Sequence, residues 1–419
     1  EGWFEIQGHE TPSATKVKWG LAKDDVSPKD IFRMTNEGPS ARAVIAKYCI
    51  QDCNLVQYLC NKVDVITSLV EMSKLCSVPM SFLIFRGQGI KLTSYVAKKC
   101  REKGTLMPVL DKGSKDDGYE GAIVIKPKCA LYLDEAVCIG DFASLYPSSM
   151  LSENLCPGSK LLTKTYNLNG DLINEIGEKD INGEFIYDNL PGQEYVDIPF
   201  DTYKWVKRSP KGRAEKVKSG HKMCRFAQPT INADGTEEKA IMPSILQELL
   251  KARKDTRKLI PKTSDEFMKS VLDARQLAYK VTANSLYGQL GAKTGTFYEP
   301  DIAAATTATG RLLLLFSKRV VEECYADTII TTKDGSVVHT NAESVYGDTD
   351  SVFFKFNLTD AKTGEKILGQ RSLELSIEIA QLATHNVTKF LKKPHDFEYE
   401  KTFMPFCLLS KKRYVAIKY

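Results

Sequence analysis

Residues 42–75 carry apolar side chains at spacings of three and four: Ala43, Ile45, Ala46, Leu55, Val56, Leu59, Val63, Ile66, Leu69 and Val70. That period predicts one long helix. A shorter basic helix is expected over 91–103. The polar stretch Lys112 to Gly118 reads as a linker. Short β-type runs follow at Ala122–Ile125, Ala130–Leu133 and Ala136–Asp141. Residues 160–240 are rich in Gly, Asn, Asp and Lys, with a few short strands expected, and read as an insertion in a larger domain. Ser244 is placed to cap a helix, with Gln247 three residues on as in a capping box. Pro261 and the polar residues after it end that helix. A second helix over 266–288 would complete an antiparallel helical pair. Further helices are expected over 303–324 and 372–391. Between them, Ser344-Val345-Tyr346 and Val352-Phe353-Phe354 read as the strands of a hairpin.

The tip of that hairpin carries Asp348-Thr349-Asp350. Side chains at i and i+2 share a face in an extended chain, so a turn at Gly347-Asp348 would present two carboxylates together. Alone, such a pair is more often a solvated loop. Asp141 ends the apolar strand containing Val137 and Ile139, and could supply a further carboxylate or simply cap a helix. One carboxylate at a strand end and two on a hairpin can hold two Mg²⁺ ions about 4 Å apart, the arrangement used in phosphoryl transfer. Oxygen-only donors favour Mg²⁺ or Mn²⁺ over zinc. The stretch 247–262 has Lys251, Arg253, Lys254, Arg257, Lys258 and Lys262 against Glu248 and Asp255. Arg253 and Arg257 share one helical face, as do Lys280, Asn284 and Tyr287 on the next helix. Three cations facing a groove suit a triphosphate, although Arg253 and Arg257 alone fit a solvated face better.

Composition narrows this little. The chain has 419 residues, and at roughly 150 residues per domain this allows about two to four domains. The net charge of +5 is too mild to prove nucleic-acid binding. The 11 cysteines lack a C-x-x-C pair, which argues against a disulfide framework or zinc site. No apolar run is long enough to span a membrane, and no signal peptide is recognisable. The chain starts at Glu1 and stops inside a strand-like run at Tyr419, so it reads as part of a longer protein.

Three segments, in order, resemble the motifs of family B DNA polymerases, the group with delta-type replicative and many large-DNA-virus enzymes. Asp141 to Ser148 resembles D-x-x-S-L-Y-P-S. Lys280 to Gly288 resembles K-x-x-x-N-S-x-Y-G. Tyr346 to Ser351 resembles Y-G-D-T-D-S. Tyr119-Glu120-Gly121-Ala122 looks like the element joining exonuclease and polymerase modules. Lys411-Lys412-Arg413-Tyr414 looks like the K-K-x-Y primer-template element. Tyr48 and Asp52 resemble the third exonuclease motif.

The resemblance implies an α+β fold: a palm of antiparallel sheet backed by helices, inserted two-helix fingers, and the C-terminal piece of an RNase H-like exonuclease domain. Expected bounds are 1–64 for the exonuclease piece, 65–118 for a helical connector, 119–242 and 301–419 for the palm and 243–300 for the fingers. It implies template-directed transfer from a dNTP to a DNA primer. Asp141, Asp348 and Asp350 would bind two Mg²⁺ ions, and Lys280 would act with them. Backbone amides of Ser144 and Leu145, together with Arg253, Arg257 and Lys280, would hold the triphosphate. Tyr146 would exclude a 2′-hydroxyl, and Asn284 and Tyr287 would line the base pair. Tyr119, Gly121, Lys411, Lys412 and Tyr414 would contact DNA. Glu400 resembles an acid near the family's metals. Tyr48 and Asp52 would be an exonuclease remnant lacking its partner carboxylates, and a thumb is expected beyond Tyr419. Primer-template DNA, dNTPs and a sliding clamp or accessory subunits are the implied partners, without a membrane. The setting is intracellular: a nucleus, or a viral factory in the cytoplasm. A catalytically inactive DNA-binding homologue is the alternative. An RNA polymerase or reverse transcriptase is a further one, against which Tyr146 and Asn284 speak.

Overall fold

The computed structural model describes residues 4–6, 17–19, 26–107, 110, 119–207, 209, 212, 214–232 and 235–419. Its centre is an antiparallel sheet of seven strands. Val137–Phe142 lies in the middle, flanked by Ser351–Lys355 on one side and the long Phe397–Ser410 strand on the other. Glu343–Asp348 and Val124–Ile125 extend the first side. Arg413–Lys418 and Ala130–Tyr132 pair with the long strand.

Alternation along the strands builds two cores, as the period of two requires. Val137, Ile139 and Phe353 join Tyr346, Phe403 and Phe406 on one face. Cys138, Phe142, Val352, Phe354 and Phe397 turn to the other. There they meet Leu314 and Val321 of helix Pro300–Cys324 and Leu375, Ile379, Ala383 and Val387 of helix Gly369–Lys389. The fold is thus mixed helix and sheet, with helices covering one sheet face.

The second body is a helical pair, Ile241–Leu259 and Glu266–Leu290, joined by a 3₁₀ turn at Ile260–Lys262. Arg253 Nε donates to Gln276 Oε1 at 3.3 Å near the joint, as an antiparallel pair demands. Helices Val65–Cys76 and Gly87–Glu102 brace it. Arg275 is ion-paired to the buried Glu71 at 2.7 Å, and Lys99 to Glu248 at 2.8 Å.

Four expectations change. The long helix over 42–75 is two, Pro39–Lys62 and Val65–Cys76, because Asp64 adopts a left-handed φ of 46°. Ser244 does not cap its helix. The helix begins at Ile241, since Pro243 is tolerated within a first turn, and the Ser244 hydroxyl accepts from Lys103 Nζ at 2.6 Å. Within 160–240 short strands such as Thr230–Ile231 and Glu237–Glu238 occur, but not all the strands are short. Residues 160–227 form a four-stranded antiparallel sheet with two long members, Tyr195–Val206 and Glu215–Ala227. Ile198, Phe200, Cys224 and Phe226 of that sheet share one buried cluster with residues of the helical pair and of helix Pro300–Cys324. The hairpin turn is Thr349-Asp350, not Gly347-Asp348. Thr349 takes the left-handed φ of 60°, and Asp348 still pairs with Ser351. The Lys112–Gly118 linker lies outside the described residues.

Candidate active site

Backbone register brings the first two carboxylates together. Asp141 stands opposite Ser351 on one neighbour and opposite Glu398 on the other. Phe142 N donates to Asp350 O at 2.9 Å, which fixes the hairpin turn beside the strand end. Gly347 permits this sheet edge to close, because a Cβ there would lie 2.6 Å from the Ile125 side chain. Burial, then the Asp350 charge and then Glu400 push the Asp141 carboxyl up to about 7. Asp350 is also raised, chiefly by burial, with Asp348 and Glu400 adding repulsion. Among the described residues neither Asp141 nor Asp350 makes an ion pair.

Asp348 is different. Lys412 Nζ donates to both of its carboxylate oxygens, at 2.8 and 2.9 Å. The Tyr346 hydroxyl donates to Asp348 at 3.2 Å and accepts from Lys412 N at 2.9 Å. Burial pushes the Asp348 carboxyl up, but the bonds from Lys412, Thr349 and Tyr346 outweigh it and hold it below the usual carboxylate range. Among the described residues no group of three or more His, Cys, Asp or Glu side chains is arranged to hold a metal ion. Of the three expected aspartates, Asp348 is committed to Lys412, while the charge of Asp350 reaches Asp141 and raises it. An open pocket of about 300 Å³ lies along this tip, lined by Asp348, Asp350, Phe353, Lys412 and Tyr414 among others. Asp141 and Asp350 are hard oxygen donors that make no ion pair among the described residues, which suits a divalent cation.

Beside the carboxylates sits an aromatic group. Ser144 takes a left-handed φ of 55°, and the helix Leu145–Ser152 starts directly after it. Tyr146, in its first turn, meets the Tyr287 ring at 4.5 Å between centroids. Burial first, then the Asp350 charge, raises the Tyr146 hydroxyl to about 12. Tyr287 is raised by burial and by Tyr119, with which it shares a hydrogen bond.

The cations lie on the open side of the helical pair. Lys280, Asn284 and Gly288 form an exposed stripe, while Ala278, Thr282, Ala283 and Leu286 bury the opposite face. Arg257 is exposed and Arg253 half-buried. Burial and then Arg257 lower Arg253, and the Glu398 charge opposes this, so Arg253 is within electrostatic reach of the strand position opposite Asp141. The remaining expected residues are scattered. Lys411 and Arg413 are exposed at the turn, and Tyr414 rests on Phe353 at 5.6 Å. Lys412 spends its ammonium on Asp348. Tyr48 and Asp52 share one face of helix Pro39–Lys62, which packs on the helices beside it. Lys216 Nζ donates to Tyr119 O at 2.7 Å.

Two residues escaped the sequence reading. Glu398 faces Asp141 across the sheet, and only pairing register reveals it. Arg311 holds the 120–121 carbonyls. Its signal was a lone cation followed by the apolar run Leu312 to Phe316.

Residues 78–419 match the sequence model of DNA polymerase family B. A DNA polymerase of Phaeocystis pouchetii virus is 53% identical over 391 residues, covering 93% of this chain and 37% of that protein. A DNA polymerase of Pyramimonas orientalis virus is 40% identical, covering 96% and 33%. The DNA polymerase delta catalytic subunit of Oryza sativa subsp. japonica is 31% identical, covering 99% and 32%. The chain thus spans 32–37% of the length of these relatives. A family B DNA polymerase structure from the archaeon Pyrobaculum calidifontis matches with TM-score 0.55 at 22% identity, over 94% of this chain and 39% of that one. That match shares the fold. With a family match running from residue 78 to the last residue, the chain belongs to DNA polymerase family B.

Proposed function

We propose that this chain carries the nucleotidyl-transfer centre of a template-directed DNA polymerase, whose reaction is attack of a primer 3′-hydroxyl on the α-phosphate of a dNTP with release of pyrophosphate. The observation that supports it is the unpaired Asp141–Asp350 couple beside Tyr146, with the Arg253–Arg257–Lys280 cations on the facing helical pair.

In this reading the central sheet and its helices (119–242 and 301–419) are the palm and 243–300 the fingers. Residues 65–118 are a connector. Residues 1–64, with Tyr48 and Asp52, belong to an exonuclease domain that gives the parent protein 3′–5′ proofreading. Asp141 and Asp350 would hold the divalent cations, Mg²⁺ or Mn²⁺, which supply charge neutralisation at the transferring phosphoryl group. The residues of the chain do the rest. Lys280, Arg253 and Arg257 would bind the β- and γ-phosphates, and Lys280 would give a proton to the leaving pyrophosphate. The amides of Ser144 and Leu145 cradle the triphosphate, as turn N–H groups do. Tyr146 lies under the sugar, and Asn284 with Tyr287 lines the nascent pair. Lys411, Arg413 and Tyr414, with Tyr119 and Gly121, meet the primer-template backbone, while Lys412 acts through Asp348. Preorganised charge and position are the main source of rate in such a site. A sliding clamp or accessory subunits would supply processivity. The work would be done inside a cell, in a nucleus or in a viral factory. Among the described residues no helix is long and apolar enough to cross a membrane.

Single-nucleotide primer extension by the full-length protein tests the reading. Asp350→Asn is expected to abolish incorporation while primer-template binding persists. Unchanged incorporation would remove the assignment of Asp350, and absence of incorporation by the wild-type protein would favour the inactive homologue instead.

A further inference from the structure

Tyr146 is enclosed from behind by helix Pro300–Cys324. A Cβ at Gly310 would stand 3.1 Å from Tyr146 Cε1 and 3.2 Å from Leu145 Cδ2, so the ring lies directly on the glycine backbone. The Tyr287 ring also packs on the Tyr146 ring, at 4.5 Å between centroids and tilted by 34°. The next residue, Arg311, has a side chain only 15% exposed. Its Nη1 donates to Glu120 O at 3.0 Å and to Gly121 O at 3.1 Å, and is ion-paired to Glu120 Oε2 at 3.2 Å. Thr307, one turn earlier, donates its hydroxyl to the same Glu120 carbonyl at 2.9 Å. These contacts pin the 119–121 segment. From it the Tyr119 hydroxyl reaches over Gly291, where a Cβ would come within 2.4 Å, and shares a hydrogen bond with Tyr287. A continuous chain of contacts therefore runs from Arg311 through 120–121 and Tyr119 to Tyr287, and so to the Tyr146 ring. The charge of Arg311 also reaches the Tyr146 and Tyr287 hydroxyls.

We infer that Thr307, Gly310 and Arg311 are positioning residues that set sugar discrimination, by fixing the Tyr146 ring against Gly310 and Tyr287. The inference rests on the reading of Tyr146 as the residue under the sugar. Rejection of a 2′-hydroxyl depends on where one ring edge stands, and a ring packed against both Gly310 and Tyr287 keeps that edge in place. Gly310 is the floor, because a Cβ there would stand 3.1 Å from Tyr146 Cε1, close enough that the ring must shift. Arg311 is the clamp on the Tyr287 side. Its Nη1 is turned to protein carbonyls rather than outward, which separates this role from contact with a DNA phosphate.

The test is the ratio of kcat/KM for a dNTP to that for the matching NTP in single-nucleotide extension by the full-length protein. A positional error of about 1 Å can cost about 10²-fold. Accordingly Arg311→Ala is expected to lower the ratio about tenfold, and Arg311→Lys to stay within about threefold of wild type by keeping one donor on the carbonyls. Gly310→Ala is expected to shift the ratio in the native background but not on top of Tyr146→Ala, since both changes act through one ring. A merely structural role would slow both substrates alike and leave the ratio unmoved. Should Tyr146→Ala itself leave the ratio unchanged, the reading of Tyr146 fails. Should Tyr146→Ala relax the ratio while Arg311→Ala and Gly310→Ala leave it at the wild-type value, the present inference fails and the reading of Tyr146 stands. An Arg311→Ala variant that weakens primer-template binding at a constant ratio would likewise overturn it.

Discussion

The sheet and the helical pair present charge in opposite ways. Asp141 and Asp350 are set by strand register and half-buried, and burial with neighbouring carboxylates raises both, so their charge is costly before any ligand arrives. Lys280 and Arg257 are exposed on helices, where solvent screens them and their cost is small. One half of the site is thus stiff and electrostatically strained, the other open and relaxed. A ligand carrying both cations and phosphates satisfies both halves at once. The acids define where the reaction occurs, and the helical stripe captures what reacts.

This contrast predicts unequal damage. Asp141→Asn or Asp350→Asn should reduce single-turnover incorporation by about 10³-fold or more, since no other group takes over the charge. The primer-template dissociation constant should change little. Lys280→Ala should cost less, about 10²-fold in kcat/KM for the dNTP, because Arg253 and Arg257 remain. If Lys280→Ala proved as severe as Asp350→Asn, the idea of a stiff and a forgiving half would be wrong.

The strain itself can be measured without catalysis. A carboxyl raised from 3.8 to about 7 keeps its proton in the folded state over a range where the unfolded chain has lost it. Its penalty is absent below the unfolded value, grows as pH rises and is complete above about 7. At about 1.4 kcal/mol per unit, Asp141 costs the metal-free fold on the order of a few kcal/mol at pH 8. Thermal melts of metal-free protein should therefore show Asp141→Asn more stable than wild type at pH 8, with the gain shrinking towards pH 4. Mg²⁺ should raise the melting temperature of wild type at pH 8 and hardly move the variant. Equal Mg²⁺ shifts in both proteins would refute the cation assignment.

Local signals were legible in the sequence, and long-range ones were not. The helical pair and the central strands follow from apolar period and turn chemistry within a few dozen residues, whereas the three motifs were legible through their resemblance to a family. The break at Asp64 was hidden because the apolar period continues through Val63 and Val65. Ser244 misled because a Ser followed by Gln three residues on is a cap only if the helix starts there, and Pro243 allows an earlier start. The length of the Tyr195–Val206 and Glu215–Ala227 strands was masked by their polar faces. The fate of Asp348 depends on Lys412, 64 residues away, and Glu398 meets Asp141 only through pairing register.

The smallest expected effect separates the two hairpin aspartates. Asp348 already has its counter-charge, since Lys412 donates to both of its oxygens and the Tyr346 hydroxyl fixes it further. Lys412 is 64% exposed and Asp348 21% exposed, so the pair should contribute no more than about 1 kcal/mol to stability. Asp348→Asn keeps the shape and the hydroxyl contact while removing the charge that attracts Lys412. Incorporation should then fall only about tenfold, through a loosened Lys411–Tyr414 turn rather than through lost cation binding. Lys412→Ala should reproduce that loss, and the double variant should be no worse than either single one, because both act through the same pair. Titrating Mg²⁺ in the extension assay gives the deciding measurement. Asp348→Asn should leave the Mg²⁺ concentration for half-maximal rate unchanged, whereas a large increase would return Asp348 to the cation-binding set beside Asp141 and Asp350.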